Sequence, residues 1–139
     1  MKSVSPILLL LALLISGCTT TNQRVLDMGD ETQLQKRSYQ SRTFDTGDKE
    51  KVLRATISTL QDLGFVIDRA DLMLGSVSAT KQDANKIRIT VSARAKGNDR
   101  MLVRANAQFN VTPVEDPIQY QNFFSSLEKS LFLTAHAGE

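Results

Sequence analysis

A pair of period-two runs in the second half of the chain constrains the fold most. Ile87, Ile89, Val91, Ala93 and Ala95 alternate with Arg88, Thr90, Ser92, Arg94 and Lys96. After Gly97-Asn98-Asp99, a second run sets Met101, Val103, Ala105, Ala107, Phe109 and Val111 against Leu102, Arg104, Asn106, Gln108 and Asn110. Successive side chains of a strand point to opposite faces, so each run has one apolar and one polar face. Joined by a Gly-Asn-Asp turn, the runs predict an antiparallel hairpin with one face in the core and one in water. Such a hairpin needs a covering layer on one side only.

Two helical patterns can supply that layer. Val52, Leu53, Thr56, Ile57, Leu60 and Leu63 recur at helical spacing behind a cap at Thr46 or Asp48, with Asp48 and Glu50 where the helix dipole favours acids. Gly64 follows as a left-handed terminator, and Phe65 is placed to fold back on Leu60. The second helix opens with Asp116-Pro117-Ile118-Gln119, a capping aspartate, a proline at the first helical position and a capping-box-like glutamine. Tyr120, Phe123, Phe124, Leu127, Leu131 and Thr134 form its apolar face, widened by Phe132. Residues 38–44, 65–69 and 76–81 read as further strands, 70–75 as a connection or short bend and 82–85 as a turn. The expected fold is a two-layer α+β sandwich: an antiparallel sheet of four to five strands, two helices on one face, order β-α-β-β-β-β-α. The single domain is expected to span 38–136.

The N-terminus has a different character. Lys2 precedes an apolar run from Ile7 to Ile15 and then Ser16-Gly17-Cys18, the parts of a secretory signal. The run is well short of the ~20 apolar residues of a spanning helix. Leu14-Ile15-Ser16-Gly17-Cys18 resembles the lipobox of bacterial lipoproteins. That resemblance implies cleavage of a signal peptide at 1–17, a diacylglycerol thioether on Cys18 and an acylated (palmitate-type) new amine. Each buried methylene contributes about 0.8 kcal/mol, so two or three acyl chains hold such a protein on its membrane. Thr19 stands where an aspartate would resemble the inner-membrane retention signal, which implies the outer membrane with the domain facing the periplasm. Residues 18–37, rich in Thr, Asn, Gln and mixed charges, are expected to form a flexible tether. Cys18 is the only cysteine, so its alkylation excludes disulfides and thiol chemistry from the mature chain. With 17 basic and 15 acidic residues the charge is nearly balanced, which gives no case for nucleic acid.

Leu60-Gln61-Asp62-Leu63-Gly64-Phe65-Val66-Ile67-Asp68 and Leu74-Gly75-Ser76-Val77-Ser78-Ala79-Thr80, followed by a hairpin and a terminal helix, resemble the repeated helix-grip domain of BamC. BamC is a lipoprotein of the outer-membrane barrel-assembly machinery and carries two such domains, where this chain has room for one. Arg42-Thr43-Phe44-Asp45-Thr46 and the segment from Asp116 to Phe124 resemble more closely a group of small Gram-negative outer-membrane lipoproteins to which no reaction is assigned. The resemblance implies a fold and an address.

Catalytic constellations are sparse. His136 is the only histidine, and a zinc or acid–base site needs further ligands or partners at defined spacing. Asp45, Asp68 and Asp71 would have to converge in a cleft to act as a carboxylate pair. The cluster 27–31 lacks the spacing of a calcium loop. Neither a metal nor another cofactor is expected. Arg88, Arg94, Lys96, Arg104, Asn106 and Gln108 share the hairpin's polar face and form a candidate platform for an acidic envelope partner. The face lacks the aromatic rings with which RNA-binding sheets stack bases. The expected function is therefore a non-enzymatic accessory or scaffold lipoprotein that binds an envelope protein. The alternative is a module that takes a small ligand or envelope polymer in the groove between helices and sheet.

Overall fold

A computed structural model describes residues 33–82 and 86–136, with backbone alone at 134–136. The chain divides into units Met1–Leu34 and Gln35–Glu139. Cys18, the leader, tether residues 18–32 and most of the turn expected at 82–85 lie outside the described residues. The elements are α1 (33–40), β1 (Ser41–Phe44), α2 (Lys49–Asp62), β2 (Val66–Asp71), β3 (Ser76–Gln82), β4 (Lys86–Ala95), β5 (Met101–Phe109), β6 (Thr112–Pro113) and α3 (Pro117–His136).

The expected hairpin is the centre of the molecule. β4 and β5 pair antiparallel from Ile87↔Phe109 to Ala95↔Met101. Lys96 N–H bonds to Arg100 O at 2.8 Å across the turn. The strand order is β1-β5-β4-β3-β2, with every pair antiparallel. The two short strands β1 and β6 take successive stretches of the remaining edge of β5. Val77, Ala79, Ile89, Val91, Ala93, Met101, Val103 and Ala105 point from one face of this sheet into the core. There they meet Val52, Leu53 and Leu60 of α2 and Tyr120, Phe123, Phe124 and Leu127 of α3. The fold is a two-layer α+β sandwich, with α1 and β6 added to the expected order.

The caps follow the residues that predict them. Asp48 is the N-cap of α2 and accepts Lys51 N–H at 2.9 Å, while Thr46 Oγ1 accepts Asp48 N–H. At the other end Gly64 adopts φ +83°. Phe65 N–H bonds to Leu60 O and Gly64 N–H to Gln61 O, both at 2.9 Å, the paired closure of a left-handed cap. Asp116 accepts Ile118 N–H at 3.0 Å at the start of α3.

Several expectations are corrected. The segment 38–44 is not all strand, because 33–40 are helical and β1 begins at Ser41. Residues 33–37 are accordingly not tether. Lys36 pairs with Glu115, and Tyr39 packs against Tyr120 with ring centroids 5.3 Å apart, so tertiary contacts order this polar stretch. β2 extends to Asp71, two residues further than expected, and the expected short bend is the turn 72–75, whose Leu72, Met73 and Leu74 are exposed. Ala95, Phe109 and Val111 are exposed although the alternation puts them on the core face. At the Phe109 end the ladder runs past the cover of the helices, and Asn110 at φ +54° turns the chain into β6. Phe132 is exposed rather than part of the core, and buried Thr59 was absent from the expected face.

Candidate functional site

α2 and α3 lie on one side of the sheet, and among the described residues nothing covers its other face. The β4–β5 register sets Arg88 opposite Gln108, Thr90 opposite Asn106, Ser92 opposite Arg104 and Arg94 opposite Leu102. Five of the six residues expected on this face, Arg88, Arg94, Arg104, Asn106 and Gln108, are thereby brought together. Lys96 lies just past β4, and its Nζ reaches Thr43 Oγ1 at 3.4 Å, at the same end of the face. Arg104 Nε donates to Ser41 Oγ at 3.3 Å. Neither β4 nor β5 contains an acidic residue. The ion pairs among the described residues leave Arg88, Arg94, Lys96 and Arg104 without a carboxylate partner.

Beside these cations lies a hydroxyl bed that the hairpin pattern alone did not reveal. Ser76, Ser78 and Thr80 of β3 stand opposite Ser92, Thr90 and Arg88. The alternation of small apolar and polar residues in 76–81 was the signal for this row. The acids of the face sit at its far edge. At a register shift in β2, Asp68 accepts Thr80 Oγ1–H at 2.6 Å, and Arg69 pairs with Asp71. Asp71 also accepts Leu74 N–H, and that bond, with the Arg69 guanidinium beside it, holds its carboxyl below the usual range.

The carboxylates considered for acid–base work do not converge. Asp45 follows β1 at one edge of the sheet, whereas Asp68 and Asp71 belong to β2 at the other. Among the described residues no three His, Cys, Asp or Glu side chains gather as a metal site would require. His136 is the last residue of α3.

On the covered face, the helix–sheet interface opens at one end into a cavity of about 300 Å3. Leu63 and Phe65 from the end of α2, Ile87 and Ile89 of β4, Ala107 of β5 and Phe123 of α3 supply apolar walls. The space lies where Ala107 contributes only a methyl group. Gln119, Asn122 and Lys81 are its polar liners, and Lys81 Nζ also donates to Leu63 O at 3.1 Å. Tyr120 closes the inner side. Its hydroxyl donates to Val114 O at 2.9 Å and accepts Ala107 N–H at 3.1 Å, bridging β5 to the segment before α3.

No protein-family model matches the chain, and no curated protein matches it.

Proposed function

We propose that this chain is a lipoprotein anchored in the outer membrane through Cys18, facing the periplasm, and that its domain is a non-enzymatic module binding an envelope protein partner. One observation carries the binding part. Three arginines and a lysine share a sheet surface that no other described residue covers, flanked by hydroxyls, and the two strands that carry it hold no acid. Guanidinium groups present planar donors suited to carboxylates, and a single-sign patch raises the rate of encounter with an acidic surface. A two-sided sheet covered on one side only also offers a broad, rigid platform. The lipobox-like Leu14-Ile15-Ser16-Gly17-Cys18, with Thr19 after it, supports the address. The resemblance to BamC-like domains and small Gram-negative lipoproteins supports the same setting.

The test compares the full-length protein with a variant carrying Arg88→Glu, Arg94→Glu and Arg104→Glu. After mild crosslinking in cells, the wild-type chain should co-purify with a defined acidic envelope protein, and the variant should retain at most a tenth of it while melting normally. Failure to recover a reproducible partner, or recovery indifferent to charge reversal, overturns the reading.

A further inference from the structure

The groove on the helix side is separate from the basic platform, and its chemistry is different. We infer that it binds a single-chain amphiphile with an anionic head, the alkyl chain lying among Phe65, Ile89, Ala107 and Phe123 and the head meeting Lys81.

Three features point to this ligand class. The walls are aliphatic and aromatic, so an alkyl chain placed there leaves water without stranding a polar group. At about 300 Å3 the cavity is at the small end of ligand sites, which suits one chain of medium length and excludes a two-chain phospholipid. Among the described residues that line it, Lys81 is the only charged one. An ammonium carries three donors, and Leu63 O accepts one of them, so donors are left for a carboxylate or phosphate. Gln119 and Asn122 add neutral polar groups at the same site. A cationic amphiphile would meet like charge at Lys81, and a neutral one would gain no ion pair.

This inference is independent of the partner reading, because the two surfaces lie on opposite faces of the sheet. Its test uses the full-length protein in lipid nanodiscs and a diazirine-bearing decanoate as photoprobe. Mass spectrometry should place the label on segments 63–65, 87–89 and 119–123. Excess decanoate and decyl phosphate should each compete the label away, whereas decyltrimethylammonium should not. The more effective of the two competitors identifies a carboxylate or a phosphate head. Lys81→Met, which keeps the alkyl stem, should lower labelling at least fivefold, and Ala107→Leu should fill the cavity and abolish it. Arg88→Glu, on the other face, should leave labelling unchanged. Each variant's melting curve establishes that it is folded. Label scattered over the surface, equal competition by the cationic amphiphile, or full labelling of folded Ala107→Leu overturns the inference.

Discussion

At the scale of single residues, Tyr120 and Thr59 show opposite outcomes of burying a hydroxyl. The Tyr120 ring is buried and its hydroxyl is satisfied on both sides, by Val114 O and Ala107 N–H, with Gln40 Nε2 a longer donor at 3.4 Å. Tyr120→Phe removes that bridge and leaves two backbone groups without it. Urea denaturation should show a loss of about 1–3 kcal/mol, the range for orphaning buried polar groups. Thr59 is equally buried, yet its Oγ1 has no hydrogen-bond partner among the described residues. Its neighbour Thr56 instead returns its hydroxyl to Val52 O at 2.8 Å. Thr59→Val keeps the shape and removes the unsatisfied oxygen. The variant should be at least as stable as wild type, by up to about 1 kcal/mol in the same assay. A clear loss would mean that Thr59 has a partner in solution.

At the scale of elements, the β2–β3 hairpin and the α1–α3 seam depend on named local groups. Gly75 adopts φ +68°, and a Cβ there would lie 2.6 Å from Ala93 O. Its carbonyl meanwhile accepts Ala93 N–H at 2.8 Å, so β3 begins tight against β4. Gly75→Ala should cost about 1–3 kcal/mol in strain and disturb this end of the sheet, read as faster amide exchange in 72–78. The same turn is acid-sensitive. The Asp71 carboxyl is held below its ordinary value, chiefly by Leu74 N–H, so its contribution is present above that value and is lost as pH falls through the folded one. Below about pH 4 the wild-type hairpin should approach the exchange rates of Asp71→Asn. The α1 seam has the opposite dependence. Lys36 is raised above 10.5, first by its bond to Glu115, and Tyr39 above 10.0, first by desolvation. Both contributions are present below those values and lost as pH rises through the folded ones, so residues 35–40 should loosen at alkaline pH before the core does. Alkaline titration followed by amide exchange checks the order of events.

At the scale of the whole molecule, the sheet separates the core from the basic face proposed to bind a partner. Reversing charge at Arg88, Arg94 and Arg104 touches exposed side chains, and surface changes of this kind usually stay within about 0.5 kcal/mol each. The sheet edge beneath α3 is different. Arg42 lies 5.3 Å over the Phe124 ring and pairs with Glu128, so it covers the core as well as carrying charge. The proposed anchor separates address from fold. Cys18→Ser should release the protein from membranes on carbonate washing without changing its melting temperature. Retention in the washed membranes would rule out the lipid anchor.

Much of this was legible in the chain because local physics determines it. Alternation over 87–107 defined the hairpin, the basic face and, Ala95 apart, the inward residues. Asp48, Gly64, Asp116 and Pro117 marked helix ends, because caps satisfy backbone groups within a few residues of themselves. What the sequence left undecided depends on contacts between distant segments. The polar residues 33–40 became helix where Lys36 meets Glu115 and Tyr39 meets Tyr120. Phe109, apolar by type and correct by period, is exposed, and Phe132, expected to widen the apolar face of its helix, lies outside the core. The groove has no periodic signature at all. It exists because two helix ends, three strands and one small side chain meet with space between them, and only tertiary packing sets that space.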